Sequence, residues 1–130
     1  MSYKILTVDD SRMVRMIVAK TFQPYGCEVY EASNGTDALM TAAAVFPDLI
    51  FLDITMADMN GLVVLEQMRQ VDHLRATPVV MLTAESGVNM IERADKLQVA
   101  GYISKPFKGD QLLKLASQIL KLELLGAPAA

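Results

Sequence analysis

Cysteine is nearly missing from this chain: Cys27 is the single one in 130 residues. One thiol forms no intrachain disulfide and builds no multi-cysteine zinc site. Histidine is as scarce. His73 stands alone in a polar stretch, where a solvated ring is expected, so no His–Cys cluster is on offer for zinc. This cysteine usage agrees with a reducing cytosol. No apolar run approaches the roughly 20 residues a membrane-spanning helix needs. The opening MSYKILTVDD meets its acids too early for a secretory signal peptide. A cytoplasmic chain without membrane contact is the expectation. Strong charge of one sign is lacking too. The net charge is -3, whereas broad capture of nucleic acid generally needs a basic surface.

Apolar residues are plentiful. They make up 52% of the chain, and the mean hydropathy is +0.29. That lies far from the composition of disordered chains and supplies one core in one domain. The apolar residues come in short runs: ILTV at 5–8, EVYEA at 28–32, LIFL at 49–52, VVML at 79–82 and GYIS at 101–104. Runs of this kind suit strands buried on both faces. Between them lie apolar stripes at helical spacing: Val14, Ile17, Val18 and Phe22; Leu39, Ala42, Ala43 and Phe46; Leu62, Leu65 and Met68; Met90, Ile91, Ala94 and Leu97; Leu112, Leu115, Ala116 and Ile119. The last stripe is expected to run on toward Leu125. The nine methionines read as fillers of core gaps.

Strict alternation of strand and helix argues an α/β fold: a doubly wound five-stranded parallel sheet, flavodoxin-like, with five helices. The expected strand order is 2-1-3-4-5, with ligands at the carboxyl ends of the strands. Residues 1–125 form the expected domain, and 126–130, GAPAA, a flexible tail.

Those carboxyl ends carry the chemistry. Strand 1 ends at Asp9 and Asp10, strand 3 at Asp53 and strand 4 at Thr83, and strand 5 is followed by Lys105-Pro106. Each has a plain explanation. Asp10 and Ser11 suit a helix cap, Asp53 a turn, Thr83 a strand end and Lys105 a solvated surface. Together they gather carboxylates, a hydroxyl and an ammonium around one crevice. Converging carboxylates repel one another. Either some are protonated or a divalent cation sits among them, and oxygen donors of this kind favour Mg²⁺. Such a site suits phosphoryl transfer. Asp53 would be the nucleophile, with Mg²⁺ on Asp10 and Asp53. Lys105 would pair with the phosphoryl group, and Thr83 would donate a hydrogen bond to it.

VDDSR, LDITMADMNG at 52–61, TAE at 83–85 and GYISKPF at 101–107, in this order and spacing, resemble a response regulator receiver domain. The likeness is to the stand-alone chemotaxis (CheY-like) type and covers essentially the whole chain. The strand order above is that family's own, so it is not independent of the resemblance. The resemblance implies a phosphoprotein switch of a two-component regulatory system rather than an enzyme acting on other substrates. Asp53 accepts phosphate from a phosphohistidine on a sensor histidine kinase. Asp10 binds the metal directly, Asp9 through water, and the Thr55 carbonyl adds a ligand. Thr83 moves toward the phosphoryl group and Tyr102 swings inward. That shifts the face of helix 4, strand 5 and helix 5 toward a target such as a flagellar motor switch protein. Thr55 and Glu85 tune phosphate lifetime, a phosphatase is a further partner, and the Lys105-Pro106 bond is cis. A monomer is implied.

One departure stands out. The family carries proline after the methionine of this loop, where Ala57 follows Met56; alanine frees φ and restores an N–H. Other readings fit less well. A haloacid-dehalogenase-type phosphatase needs a second Asp where Thr55 stands. A flavodoxin-like cofactor binder would set Asp9 and Asp10 against the flavin phosphate. No P-loop is present. A receiver from a longer regulator, or one serving a phosphorelay or transcriptional output, stays open.

Overall fold

The computed structural model describes residues 2–56, 58–84 and 88–122, with the backbone alone for 88–91. Five strands alternate with five helices: β1 (Lys4–Val8), α1 (Arg12–Phe22), β2 (Glu28–Ala32), α2 (Gly35–Val45), β3 (Leu49–Asp53), α3 (Gly61–Met68), β4 (Val79–Thr83), α4 (Val88–Lys96), β5 (Gly101–Ser104) and α5 (Gly109–Ser117). Short 3₁₀ turns at Gln23–Tyr25 and Asp72–Leu74 complete the path. The sheet is parallel, in the expected order β2-β1-β3-β4-β5. Each strand coincides with one of the apolar runs.

Alternation along the strands splits the core in two. Ile5, Phe51, Leu82 and Ile103 face one way and pack with Val18 and Phe22 of α1 and with Leu112 and Ala116 of α5. The rings of Phe22 and Phe51 stack with centroids 5.7 Å apart. Leu6, Val8, Leu52 and Met81 face the other way, against Ala38 and Ala42 of α2, Leu62 and Leu65 of α3, and Ala94 of α4. Burying an aromatic such as Phe22 contributes about 2–3 kcal/mol. β3 and β4 are buried along their whole length, as continuous apolar runs in the middle of a covered sheet must be.

Local chemistry sets the helix starts. Ser11, Asn34 and Asn60 cap α1, α2 and α3, their side chains accepting from the N–H groups of Val14, Asp37 and Leu62. So Ser11 is a cap, as its plain explanation had it.

Three expectations need correction. The stripe assigned to the second helix is rotated: Gly35, Ala38 and Ala42 face the core, while Ala43 is exposed. Phe46 ends the helix in the left-handed region at φ 55, and its exposed ring packs on exposed His73 with centroids 4.1 Å apart. Alanines on several faces of α2 made its periodicity ambiguous, and the smallest side chains won the sheet-facing side because they allow the closest approach. Regular helix in α5 ends at Ser117, followed by turns in which the N–H groups of Ile119 and Leu120 share the Ala116 carbonyl. Residues 123–125 and the expected tail at 126–130 lie outside the described residues. The methionines divide: Met56, Met68 and Met81 are core, while Met13, Met16 and Met40 are exposed.

Register positions the site. Val8 pairs with both Ala32 and Leu52, so Asp9 and Asp53 leave the sheet side by side. Asp53 in turn pairs with Leu82, and Thr83 with Ser104. Four neighbouring strands therefore deliver Asp9, Asp53, Thr83 and Lys105 to one edge. Gly61 allows the loop after β3 to close. Its N–H donates to the Ile54 carbonyl at 2.7 Å, and a Cβ there would lie 2.1 Å from the Asp53 carbonyl oxygen. That approach excludes any side chain unless backbone moves.

Candidate functional site

Asp9 is fully buried, yet both of its oxygens are engaged. Oδ1 accepts the Ser11 N–H at 2.8 Å, and Oδ2 lies 2.7 Å from Lys105 Nζ. The same Nζ lies 3.1 Å from Asp53 Oδ1, which also accepts the Thr55 N–H at 3.4 Å. Asp53 is 3% exposed, and Asp10, next to Asp9, is exposed. Oxygens of Asp9, Asp10 and Asp53 all lie within 4.8 Å of one another. One ammonium against these three carboxylates leaves a formal charge of -2 at neutral pH.

The electrostatics show that imbalance. Burial, then the charge of Asp9, pushes the Asp53 carboxyl up from 3.8 to about 6, although Lys105 and the Thr55 N–H pull the other way. For Lys105, burial favours the neutral amine, but hydrogen bonds and charge from Asp9 and Asp53 outweigh it and hold the ammonium above its ordinary range. A divalent cation with oxygen ligands fits this donor set: the carboxylates converge from different strands and carry charge that a single lysine leaves uncompensated. Asp9, Asp10 and Asp53 would hold it. Asp9 is tied directly to Lys105 and to the Ser11 N–H.

The surrounding frame is tightly built. The Lys105-Pro106 bond is cis, as the resemblance implies, and the Lys105 N–H donates to the Thr83 carbonyl at 2.8 Å. Thr83 is buried at the end of β4, so it and Lys105 share one joint. Thr55 follows β3 and is exposed. Tyr102, half-buried on β5, donates its hydroxyl to the Asp95 carboxylate of α4. Burial, then that bond, pushes the phenol up to about 12. Beside Tyr102 a cavity of about 420 Å³ opens between β5 and α5, lined by Ser104, Gln111, Lys114 and Leu115 among others. Glu85 and Ala57 lie outside the described residues.

Two participants were not foreseen from sequence. Arg15 reaches back from α1 to donate to the Asp9 carbonyl at 2.7 Å and to Glu31 at 3.1 Å, steadying the turn that presents Asp9 and Asp10. Asp95 is the partner of Tyr102. Neither carries a local signal: both contacts depend on how separate elements pack.

Comparison with known proteins agrees with this geometry. The model of the response regulator receiver domain matches residues 5–117. Chemotaxis protein CheY of Bacillus subtilis is 32% identical over 92% of this chain and 99% of its own length. Sporulation initiation phosphotransferase F of the same organism is 31% identical over 95% and 98%. Regulatory protein AtoC of Escherichia coli is 35% identical over 92% of this chain, which spans only 26% of that protein. The high-resolution structure of chemotaxis response regulator CheY4 of Vibrio cholerae superposes with a TM-score of 0.86, at 32% identity, over 92% of this chain and all of that one. Site geometry, sheet order and sequence match together establish that the chain belongs to the response regulator receiver domain family.

Proposed function

We propose that this receiver domain is a phosphorylation-driven switch in which Asp53 accepts a phosphoryl group from a phosphohistidine of a sensor kinase. The observation that carries this is the convergence of Asp9, Asp10 and Asp53 within 4.8 Å, with Lys105 bridging two of them. A carboxyl with its pKa near 6 is mostly ionised at neutral pH, so an Asp53 oxygen is available to attack phosphorus. The O–P bond forms as the histidine N–P bond breaks, and the imidazole leaves with the electron pair of that bond. When bound at the three carboxylates, Mg²⁺ supplies positive charge that offsets the oxygens of the incoming phosphoryl group. Lys105 Nζ is already placed to hold the same oxygens.

Transmission follows from the shared joint. A phosphoryl group adds charge and acceptor oxygens at Asp53. Thr83 gains a contact with it by closing, while Lys105, already 3.1 Å from Asp53, extends its hold to the new oxygens. Their strands are paired, and Tyr102 on β5 is bonded to α4 through Asp95. Closure therefore biases the face of α4, β5 and α5 between two arrangements. The near full-length similarity to two chemotaxis regulators supports a chemotaxis output, the flagellar motor or its signalling complex. The equally extensive similarity to a sporulation phosphotransferase supports a phosphorelay as the second reading.

Given a small-molecule phosphodonor and Mg²⁺, the purified chain is expected to gain one phosphoryl group, and chelating the metal is expected to stop the gain. Intact-mass measurement over time reads both. Undiminished labelling in chelator would remove the metal from this reading.

A further inference from the structure

The loop between Asp53 and α3 carries Thr55 and is anchored to the rest of the fold at several points. At its start the Ile54 N–H donates to the Leu82 carbonyl at 3.2 Å, and at its end the Gly61 N–H returns to the Ile54 carbonyl at 2.7 Å. Between these anchors Asp58 reaches across to a different helix. Its carboxylate accepts the Gly35 N–H at 2.9 and 3.1 Å and the Thr36 N–H at 3.2 Å, and the Thr36 hydroxyl lies 3.5 Å away. It also accepts the Met59 N–H at 2.9 Å.

Gly35 and Thr36 are the first residues of α2, whose own cap, Asn34, takes only the Asp37 N–H. Asp58 thus satisfies amides that the helix leaves open, and its charge suits the positive end of the helix dipole. Packing reinforces the joint: a Cβ on Gly35 would lie 2.3 Å from Met59 Cγ. The bonds hold the Asp58 carboxyl below its ordinary range, the Gly35 N–H first among them.

We propose that Asp58 is a positioning residue for the phosphoacceptor loop: by capping α2 from outside that helix it fixes the segment holding Thr55, supplying the restraint that the family's proline gives and Ala57 does not. It rests on the reading of this edge as a metal-dependent phosphoacceptor site, and it assigns to an exposed loop carboxylate a share of that site's metal affinity.

The test uses the whole chain, with backbone amide exchange at Thr55 and Gly61 in metal-free protein and Mg²⁺ affinity by titration. A carboxylate at a helix N-terminus is worth a factor of about two to five. Asp58→Ala is expected to speed exchange at both amides and to weaken Mg²⁺ binding, each by about that factor. Asp58→Asn, which keeps the shape and loses the charge, falls between. Asn34→Ala weakens α2 without touching the loop and is expected to leave both readouts unchanged while lowering the thermal midpoint. Adding Ala57→Pro to Asp58→Ala is expected to restore most of the loss. Wild-type exchange in Asp58→Ala, or equal effects from Asn34→Ala, would overturn the proposal, since Asp58 would then act only through the stability of α2. If no variant binds Mg²⁺, wild type included, but the exchange pattern holds, the metal reading fails and the positioning role stands.

Discussion

Asp53→Asn is expected to take up no phosphoryl group, a loss of at least about 10³-fold in labelling rate. It is also expected to make the metal-free protein more stable at neutral pH. The first effect follows from removing the attacking oxygen. The second follows from the site's charge. The Asp53 carboxyl titrates near 6 in the fold against 3.8 for an ordinary aspartate. Between those values the folded state binds more protons than the unfolded one, so stability falls as pH rises from about 4 to 6. Above that window the full cost, on the order of 2–3 kcal/mol, is present. The charged groups facing Asp53 are Asp9 and Asp10 from the end of β1 and Lys105 after β5, and the Thr55 N–H of its own loop donates to it. Asparagine removes the repulsion from Asp9 but also one partner of Lys105, leaving a net gain of about 1–2 kcal/mol at pH 7. Urea unfolding at pH 4 and pH 7 checks the sign: the advantage of the variant should shrink toward pH 4. A variant that is labelled like wild type would remove Asp53 as the acceptor. One less stable than wild type at pH 7 would remove the electrostatic argument.

Lys105→Met is expected to cost the metal-free fold about 3 kcal/mol at pH 7. Lys105 Nζ is the counter-charge to buried Asp9 at 2.7 Å and to Asp53 at 3.1 Å. Methionine keeps much of the apolar stem and removes the charge, so Asp9 Oδ2 is left buried without a cation. Because the ammonium is held above its ordinary range in the fold, its contribution is complete throughout neutral pH. It is lost only as pH rises through the folded-state value. Saturating Mg²⁺ should recover part of the loss in Lys105→Met, since a divalent ion neutralises the same carboxylates. Denaturant midpoints with and without Mg²⁺ read this out. Equal midpoints for variant and wild type in chelator would show that the bridge carries no stability.

The sheet was legible because its middle strands are continuous apolar runs, and LIFL and VVML admit few alternatives to fully covered β3 and β4. The site was legible for a related reason. Strand ends in this topology converge, so Asp9, Asp10, Asp53, Thr83 and Lys105 could be placed together before any distance was known. Helix faces were harder. In α2 the abundance of alanine blurred the period, and Phe46, the largest apolar residue there, faces solvent and His73 rather than the core. Contacts between separate elements were not legible at all. Arg15 on the Asp9 carbonyl, Asp58 on the start of α2 and Asp95 on Tyr102 depend on loop and helix placement to within a hydrogen-bond length, which no local pattern encodes. Those contacts fasten the acidic edge and its neighbouring strands to α1, α2 and α4.

The most direct measurement is fragmentation mass spectrometry of the protein after exposure to a phosphodonor with Mg²⁺. One phosphoryl group per chain is expected, on the fragment that contains Asp53, and none when the metal is chelated. A phosphoryl group mapped instead to His73, to a serine or to a threonine would contradict the central claim that the carboxylate basin at the end of β1 and β3 is the phosphoacceptor site.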